Sequence, residues 1–298
     1  AAYFFARQLT ESLHLPVGLV ISSWGGSRIE AWMDEQTLAS IEGVDMEAAK
    51  SSKRDIHQRL GCLYNSMLCP VKNFTARGFL WYQGESNRGY HQFYAPMMTA
   101  MVQLWRNMWE APDMPFYYVQ IAPYRYENSR NIDGALLREA QMEALKTIPN
   151  SGIVPTTDIG DEFCIHPPQK NIVGLRLATL ALTKTYGIGR LPSNGPVMKK
   201  VDYSGSKAIV TFDNAPAGLF PTFSQLDGFE IAGADKKFYP AKAKIVGRTN
   251  TVEVWSEEVA QPVAVRYAFR NYAGNITLRN TFGLSAFPFR TDTWDEVK

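Results

Sequence analysis

The chain of 298 residues contains few of the side chains on which metal and redox sites are usually built. Only three cysteines and four histidines are present. Six residues separate Cys62 from Cys69, a spacing that fits neither a Cys-x-x-Cys redox motif nor a zinc-ligand pattern. We therefore expect Cys62, Cys69 and Cys164 to be free thiols that pack, buried or half-buried, as small apolar groups.

Long apolar runs and blocks of like charge are also missing. No run of about 18 apolar residues occurs, so the sequence predicts no transmembrane helix, and the N-terminus lacks the basic region and cleavage site of a signal peptide. The 31 basic and 29 acidic residues are intermixed and leave a net charge of +2. Such a mixture argues against a dedicated nucleic-acid-binding protein. We expect neither a membrane nor a nucleic acid as partner.

The N-terminal part of the chain alternates predicted strands with predicted helices. Short apolar runs that end in glycine-rich or polar loops are typical of buried strands, and four occur, at residues 19–26, 78–83, 116–121 and 152–158. Helical periodicity is found at residues 1–13, at 93–108 with a methionine and aromatic stripe, and after His166. This alternation indicates an α/β fold with a mostly parallel sheet, whose carboxyl-end loops gather into a site.

A cluster of turn residues at 191–196 ends this pattern. The runs that follow alternate apolar with polar residues and are separated by Gly, Asn and Pro, which predicts antiparallel strands; they lie at residues 208–212, 228–232, 251–255 and 263–269. Because 298 residues exceed the usual size of a single core, we predict two domains. The α/β domain covers residues 1–192, and a small antiparallel β-rich domain covers residues 193–298.

Four motifs in order give the chain a family resemblance. They are GLVISSWGGSRIEAW at residues 18–32, LYNSMLCP at 63–70, FLWYQGESN at 79–87 and DIGDEFCIHP at 158–167. Together these segments resemble the sialate O-acetylesterase family, a branch of the SGNH hydrolases and carbohydrate esterases. Any one motif alone would be weak, and the combination is specific.

The resemblance implies a three-layer α/β/α esterase that removes acetyl groups from sugar hydroxyls. It implies a serine nucleophile, a histidine base and an acidic residue that orients the base, with no metal and no other cofactor. The expected partner is a small O-acetylated carbohydrate such as sialic acid, and the expected location is the periplasm or the outside of the cell. An esterase for other glycans such as xylan is an alternative.

The usual nucleophile of the family is missing from this sequence. Family members carry the serine in a Gly-Gln-Ser-Asn-Met-like segment, and no such segment is present. A Gly-x-Ser-x-Gly elbow is absent as well. We expect Ser23 and Ser86 to be structural residues of loops, and the nucleophilic serine to lie upstream of residue 1. The chain is then a truncated or processed piece or a degenerate member, and a catalytically inactive carbohydrate-binding relative is the alternative.

His166 is the predicted base, because it lies in the loop that opens the last helix of the α/β domain and in the matching motif. The residue three positions earlier is Phe163, so the Asp-x-x-His pair of many SGNH hydrolases is absent. The resemblance offers Glu85, from the Gln-Gly-Glu motif, as the acid that orients His166, with Asp158 and Asp161 in reserve.

Donors to the oxyanion are expected beside the acid and the base. A glycine N–H can approach a substrate closely, and an amide side chain donates without charge. We name Gly25, Gly26 and Gln83 as oxyanion and pocket residues. Asn87 is a further candidate for substrate binding, and its alternative role is to cap the helix that follows.

Overall fold

The computed structural model describes residues 1–189 and 193–295. Their contacts form two compact units. The first unit comprises Ala1–Ile121, Leu136–Ile153 and Lys170–Tyr186, and the second comprises Ala122–Ala135, Val154–Gln169 and the described residues from Gly187 onward. Each unit thus combines separate stretches of chain. The predicted domain boundary between residues 192 and 193 falls at the edge of the described residues, since residue 192 lies outside them.

Three of the four long helices lie where the apolar periodicity predicts them, and the fourth, at Asp133–Thr147, was not predicted. In α4 (His91–Met108) the side chains of Met97, Met101 and Trp105 are buried, because they share one face of the helix. The helix after His166 ends shortly before Gly187, whose φ of 65° is favourable only for residues such as glycine. The long helices are α1 (Ala2–Leu13), α4 (His91–Met108), α5 (Asp133–Thr147) and α6 (Lys170–Lys184).

Two short helices begin at aspartate caps. The Asp34 carboxylate accepts a hydrogen bond from Thr37 N at 2.7 Å, and the Asp45 carboxylate accepts one from Ala48 N at 2.9 Å. Such bonds satisfy N–H groups that have no partner within the helix. They start α2 (Glu35–Ala39) and α3 (Met46–Lys50). Short helices of the 3-10 or π type lie at Ile29–Trp32, Ile56–Gln58, Tyr64–Leu68, Cys69–Val71 and Glu85–Tyr90.

No helix in the two described stretches combines the length and the apolar character needed to cross a bilayer.

The sheet of the first unit has the order β1-β2-β3, with β1 at Phe79–Trp81, β2 at Phe116–Val119 and β3 at Ser151–Val154. Strands β1 and β2 pair in parallel, with Phe79 opposite Phe116. Trp105 of α4 packs edge-on against Trp81 and Phe116, with ring centroids 5.5 and 6.1 Å apart. Three of the four predicted strands are confirmed, as is the α/β class with a parallel sheet.

The fourth predicted strand, at residues 19–26, is wrong. In the structure this segment has no regular secondary structure apart from a turn at its end. Val20 and Ile21 are 55% and 64% exposed. A strand needs a neighbour for its N–H and C=O groups, and the described sheet contains only β1, β2 and β3. An apolar run therefore predicted a strand for which this structure provides no partner.

The second unit is antiparallel, as predicted. One sheet has the order β4-β5-β10-β9, another has the order β13-β11-β7-β8, and β12 pairs with β6. Alternation along β5 buries Ala208, Val210 and Phe212 in a core shared with Ile231 and Val265 of the other sheet. The strands are β4 (Val197–Ser204), β5 (Lys207–Asp213), β6 (Leu219–Phe220), β7 (Phe229–Ala232), β8 (Phe238–Pro240), β9 (Lys242–Ile245), β10 (Thr251–Trp255), β11 (Ala264–Tyr267), β12 (Arg279–Asn280) and β13 (Phe289–Arg290).

Candidate active site

A glycine turn at the end of the first motif forms the centre of the candidate site in the first unit. Ser27 N donates to Trp24 O at 3.4 Å, and Gly26 occupies the third position of this turn with a φ of 73°. A turn of this geometry favours glycine at that position. The Gly26 carbonyl accepts from the Gln58 side chain at 3.0 Å and from Ser86 Oγ at 2.9 Å. Two other segments therefore hold the turn.

The chain that leaves β1 contacts this turn through Gln83 and Ser86, and Gly84 lies between them in the sequence. A Cβ atom on Gly84 would lie 2.7 Å from Ile121 Cγ2 and 3.0 Å from Leu137 Cδ2. Only glycine lets the backbone pack so closely. The following residues begin a 3-10 helix, where Asn87 N donates to Gly84 O at 2.8 Å. This close approach sets the positions of Glu85 and Ser86.

The side chain of Gln83 is buried under the glycine turn. Its amide nitrogen donates to Ser27 O at 2.8 Å and to Asn87 Oδ1 at 2.9 Å. Its Oε1 accepts from the hydroxyl of Tyr94 at 3.0 Å. Both amide protons thus have acceptors inside the protein. In this arrangement Gln83 positions the turn, and it could donate to a substrate only after one of these bonds opened.

Asn87 and Glu30 extend the buried network. Asn87 is fully buried; its Oδ1 accepts from Ile29 N at 2.9 Å, and its Nδ2 donates to Glu30 Oε2 at 2.7 Å. The other carboxylate oxygen of Glu30 accepts from Arg28 Nε at 3.0 Å and lies 3.4 Å from Arg54 Nη1. A buried carboxylate is tolerated when it is paired and hydrogen-bonded in this way. The network makes the loop after β1 and the glycine turn one rigid group.

The solvent-facing side of the turn carries an aromatic pair that the sequence did not single out. Trp24 is 53% exposed and stacks on His57, with ring centroids 5.9 Å apart and an angle of 20° between the rings. The His57 imidazole nitrogen would lie 3.5 Å from a Cβ on Gly26. The sequence signal for a binding surface was a tryptophan directly before a glycine pair, and the structure shows that this tryptophan is exposed. His57 gave no such signal, because it lies 33 positions after Trp24 in the chain.

Glu85 is half-buried at the start of the 3-10 helix. Burial raises the pKa of the Tyr82 hydroxyl, and the nearby negative charge of Glu85 raises it further. Burial is also the main cause of the raised pKa of Tyr94. Both phenols therefore stay protonated at neutral pH and act as neutral hydrogen-bonding groups.

His166 lies in a loop of the second unit, between β3 and α6. The Asp161 carboxylate accepts from Phe163 N at 2.8 Å and from Cys164 N at 2.9 Å, a local turn that shapes this loop. His166 and Asp158 are exposed. The structure therefore gives Asp161 a visible role in the loop backbone, and the assignment of Asp161 or Glu85 as partner of His166 remains a prediction.

The cysteines are free, as expected. Cys62 and Cys69 are half-buried, but Cys164 is exposed, so the expectation of a packed thiol is wrong at that position. The reason is the Asp161 turn, which places Cys164 on the loop surface. Its Sγ donates to the backbone carbonyl of His166 at 3.2 Å. Among the residues that the structure describes, no group of three or more His, Cys, Asp or Glu side chains could hold a metal ion.

The structure thus brings together four of the predicted residues in the first unit. Gly25 and Gly26 form the turn, Gln83 lies beneath it, and Asn87 connects it to Glu30. A parallel sheet with a glycine turn and a polar loop after β1 defines an α/β protein with a candidate ligand site at its strand ends. The comparisons with known proteins identify its family.

Residues 1–183 match the family of carbohydrate esterases described as sialic acid-specific acetylesterases. The match covers more than half of the chain, and the chain belongs to this family. The crystal structure of a protein described as a novel carbohydrate acetylesterase from Xanthomonas citri aligns with 98% of this chain and 65% of its own chain. The TM-score is 0.86 and the sequence identity is 38%.

Curated relatives agree with this family. The sialate O-acetylesterase of Mus musculus is 26% identical over 91% of this chain and 58% of its own length, and that of Homo sapiens is 28% identical over 70% of this chain and 43% of its own length. The chain therefore spans about half the length of these relatives. The resemblance read from the four motifs is confirmed.

Proposed function

We propose that this protein removes O-acetyl groups from carbohydrates by ester hydrolysis. The observation that carries the proposal is the family match, which covers the glycine turn, the loop after β1 and the loop of His166. The rigid placement of the turn supports it, because donors that are fixed before the reaction stabilise an oxyanion best. The names of the relatives, carbohydrate acetylesterase and sialate O-acetylesterase, point to the same chemistry.

In the proposed reaction a serine Oγ attacks the acetyl carbonyl carbon while His166 accepts the hydroxyl proton. The sugar oxygen then leaves with a proton returned by His166, and water hydrolyses the acetyl-serine by the same steps in reverse. Glu85 is the first candidate to orient His166, with Asp161 and Asp158 as the alternatives. The N–H groups of the glycine turn are the proposed oxyanion donors.

The nucleophilic serine is proposed to lie outside these 298 residues. The Gly-Gln-Ser-Asn segment expected from the family is not in the sequence. Ser86 is occupied differently, since its Oγ donates to the carbonyl of Gly26 at 2.9 Å. A bond of this kind holds the turn and does not activate the hydroxyl, because a general base must accept the proton.

The proposed substrate is a small O-acetylated sugar, and we propose that the protein meets it in the periplasm or outside the cell. The name of the sialate O-acetylesterases suggests acetylated sialic acid as one substrate. The Xanthomonas citri protein is described only as a carbohydrate acetylesterase, and we therefore keep the wider class of acetylated glycans, such as acetylated xylan, as an alternative substrate. Both substrates belong in the test.

The experiment compares the 298-residue chain with a longer form that carries, ahead of residue 1, the Gly-Gln-Ser-Asn segment that this proposal expects. Release of acetate is measured from p-nitrophenyl acetate, O-acetylated sialic acid and acetylated xylan. The longer form is expected to hydrolyse at least one of them, and His166→Ala should lower its kcat by roughly 10²–10⁴-fold, the usual contribution of a general base. The exposed His14 supplies the matched control, and His14→Ala should leave the rate unchanged.

Two results would contradict the proposal. A longer form that binds O-acetylated sugars without releasing acetate would make the protein a carbohydrate-binding relative. Robust turnover by the 298-residue chain that is abolished by Ser23→Ala or Ser86→Ala would move the nucleophile onto a serine of this chain.

A further inference from the structure

The outer face of the β4-β5-β10-β9 sheet in the second unit carries an aromatic side chain among lysines. Along β10, Val252 and Val254 are buried, and the alternation of a strand places Trp255 on the opposite face. Trp255 lies directly between two neighbours in the register, with Lys207 on β5 and Lys242 on β9. Adjacent strands are about 4.8 Å apart, so these side chains interact across the sheet.

The lysines are held close to the indole ring. The Nζ of Lys207 lies 5.6 Å from the ring centroid of Trp255, and that of Lys244 lies 5.4 Å from it. Glu253 forms ion pairs with both ammonium groups, at 2.9 and 3.2 Å. Exposed lysine side chains are usually mobile. The two ion pairs with Glu253 hold these ammonium groups beside the ring.

A surface groove of about 440 Å³ opens next to this cluster. Trp255, Lys242 and Lys244 line one part of it, and the loop that carries Phe223 and Gln225 lines another. Phe223 is 93% exposed, so its ring contributes almost nothing to the core. An exposed large apolar side chain at the rim of a groove is typical of a surface that contacts a ligand.

The charges around the groove favour an anion. Three ammonium groups, those of Lys207, Lys242 and Lys244, face two carboxylates, of which Glu257 pairs with Lys242 at 2.6 Å in the open solvent. Among these five described groups, each lysine has a carboxylate partner and the positive charges outnumber the negative ones by one. Aromatic rings and amide groups beside the lysines add contacts that a simple inorganic anion would not use.

We propose that this groove binds an acidic saccharide. The apolar face of the sugar ring packs against Phe223 and Trp255, its carboxylate lies near Lys242 and Lys244, and its hydroxyls reach Gln225. The inference deepens the proposed function, since it rests on a sugar as the ligand, and it adds a second place where the protein holds acidic glycan without reacting with it.

The test measures binding to the full chain by isothermal titration calorimetry, with sialyllactose as the acidic probe and lactose as the neutral one. Sialyllactose is expected to bind at least about fivefold more tightly than lactose, and Phe223→Ala and Lys244→Gln are each expected to weaken it by about fivefold, the usual effect of one exposed contact. Phe282, 43% exposed in the same unit, supplies the matched control, and Phe282→Ala should bind normally.

Equal affinity for lactose, or Phe223→Ala and Lys244→Gln variants that bind sialyllactose like Phe282→Ala, would overturn the proposal. Equally tight binding of poly-glutamate would also overturn it, because the groove would then be a general anion site. Hydrolysis of p-nitrophenyl acetate by the longer form separates the two hypotheses. If the longer form releases no acetate while Phe223→Ala and Lys244→Gln weaken sialyllactose binding, only the proposed function is wrong. If acetate release is normal and these two variants bind sialyllactose as tightly as the unchanged protein, only the groove proposal is wrong.

Discussion

The buried network around Gln83 and the outer sheet face around Trp255 hold their polar groups in opposite environments. In the first unit, Glu30 and Arg28 have side chains only 3% and 10% exposed, and each is held by several partners. In the second unit, Lys244 is 58% exposed although it forms an ion pair with Glu253. Buried polar groups must satisfy one another, whereas exposed groups exchange readily with water.

The two regions therefore differ in how well they tolerate the loss of a polar side chain. The network holds the glycine turn in one geometry, and a missing member leaves other members buried without a partner. The outer face can lose a charge with a small loss of folding stability. Its lysine side chains are exposed and therefore available for a ligand. Three substitutions test this difference.

Glu30→Ala is expected to have the largest effect. It leaves the Arg28 guanidinium buried without its carboxylate and removes the acceptor of Asn87. Breaking a buried pair on one side costs about 3–5 kcal/mol, and the free energy of unfolding of the first unit should fall by that amount. Urea unfolding followed by far-ultraviolet circular dichroism measures it.

Glu35 is the matched control for this change, because its side chain is 66% exposed and pairs with Lys50 on the surface. Glu35→Ala should cost less than about 1 kcal/mol. Equal losses for the two variants would show that burial does not distinguish the network from a surface ion pair.

Gly84→Ala is expected to have an intermediate effect. The new methyl group would meet Ile121 Cγ2 at 2.7 Å, and overpacking of this kind costs about 1–3 kcal/mol. Gly89 offers the control, since a Cβ atom there has no heavy atom within 4 Å. Thermal unfolding should show a lower midpoint for Gly84→Ala only. A Gly89→Ala variant that is equally destabilised would show that the close contact with Ile121 is not the cause, because the loss of chain entropy on Gly→Ala substitution by itself stabilises a protein.

Glu253→Gln is expected to have the smallest effect. A hydrogen bond from Lys207 is the main cause that lowers the pKa of Glu253 below its usual 4.5. A lowered pKa in the folded state stabilises the protein above pH 4.5, and this contribution disappears as the pH falls through the folded-state value. The variant should lose less than about 1 kcal/mol at pH 7 and show a shallower loss of stability on acidification. An unchanged pH dependence between pH 5 and 3 would contradict the assignment.

Local patterns were sufficient for much of the fold. The stripe at Met97, Met101 and Trp105 predicted α4, because its period matches one face of a helix. Alternation predicted β5 and β10 in the same way. Residues 19–26 show the limit of such patterns, since an apolar run does not specify whether a neighbouring strand exists to accept its hydrogen bonds.

The sequence by itself determined the family, the class of fold and the segments that contain the candidate site, because local periodicity and short motifs specify them. Only the tertiary structure decided what Gln83, Asn87 and Glu30 contact. Asn87 and Glu30 are 57 positions apart in the sequence, and no local pattern specifies which distant acceptor a buried amide finds. The same reason explains Trp255, whose lysine neighbours come from two other strands, β5 and β9, which pair with β10 only after the chain has folded.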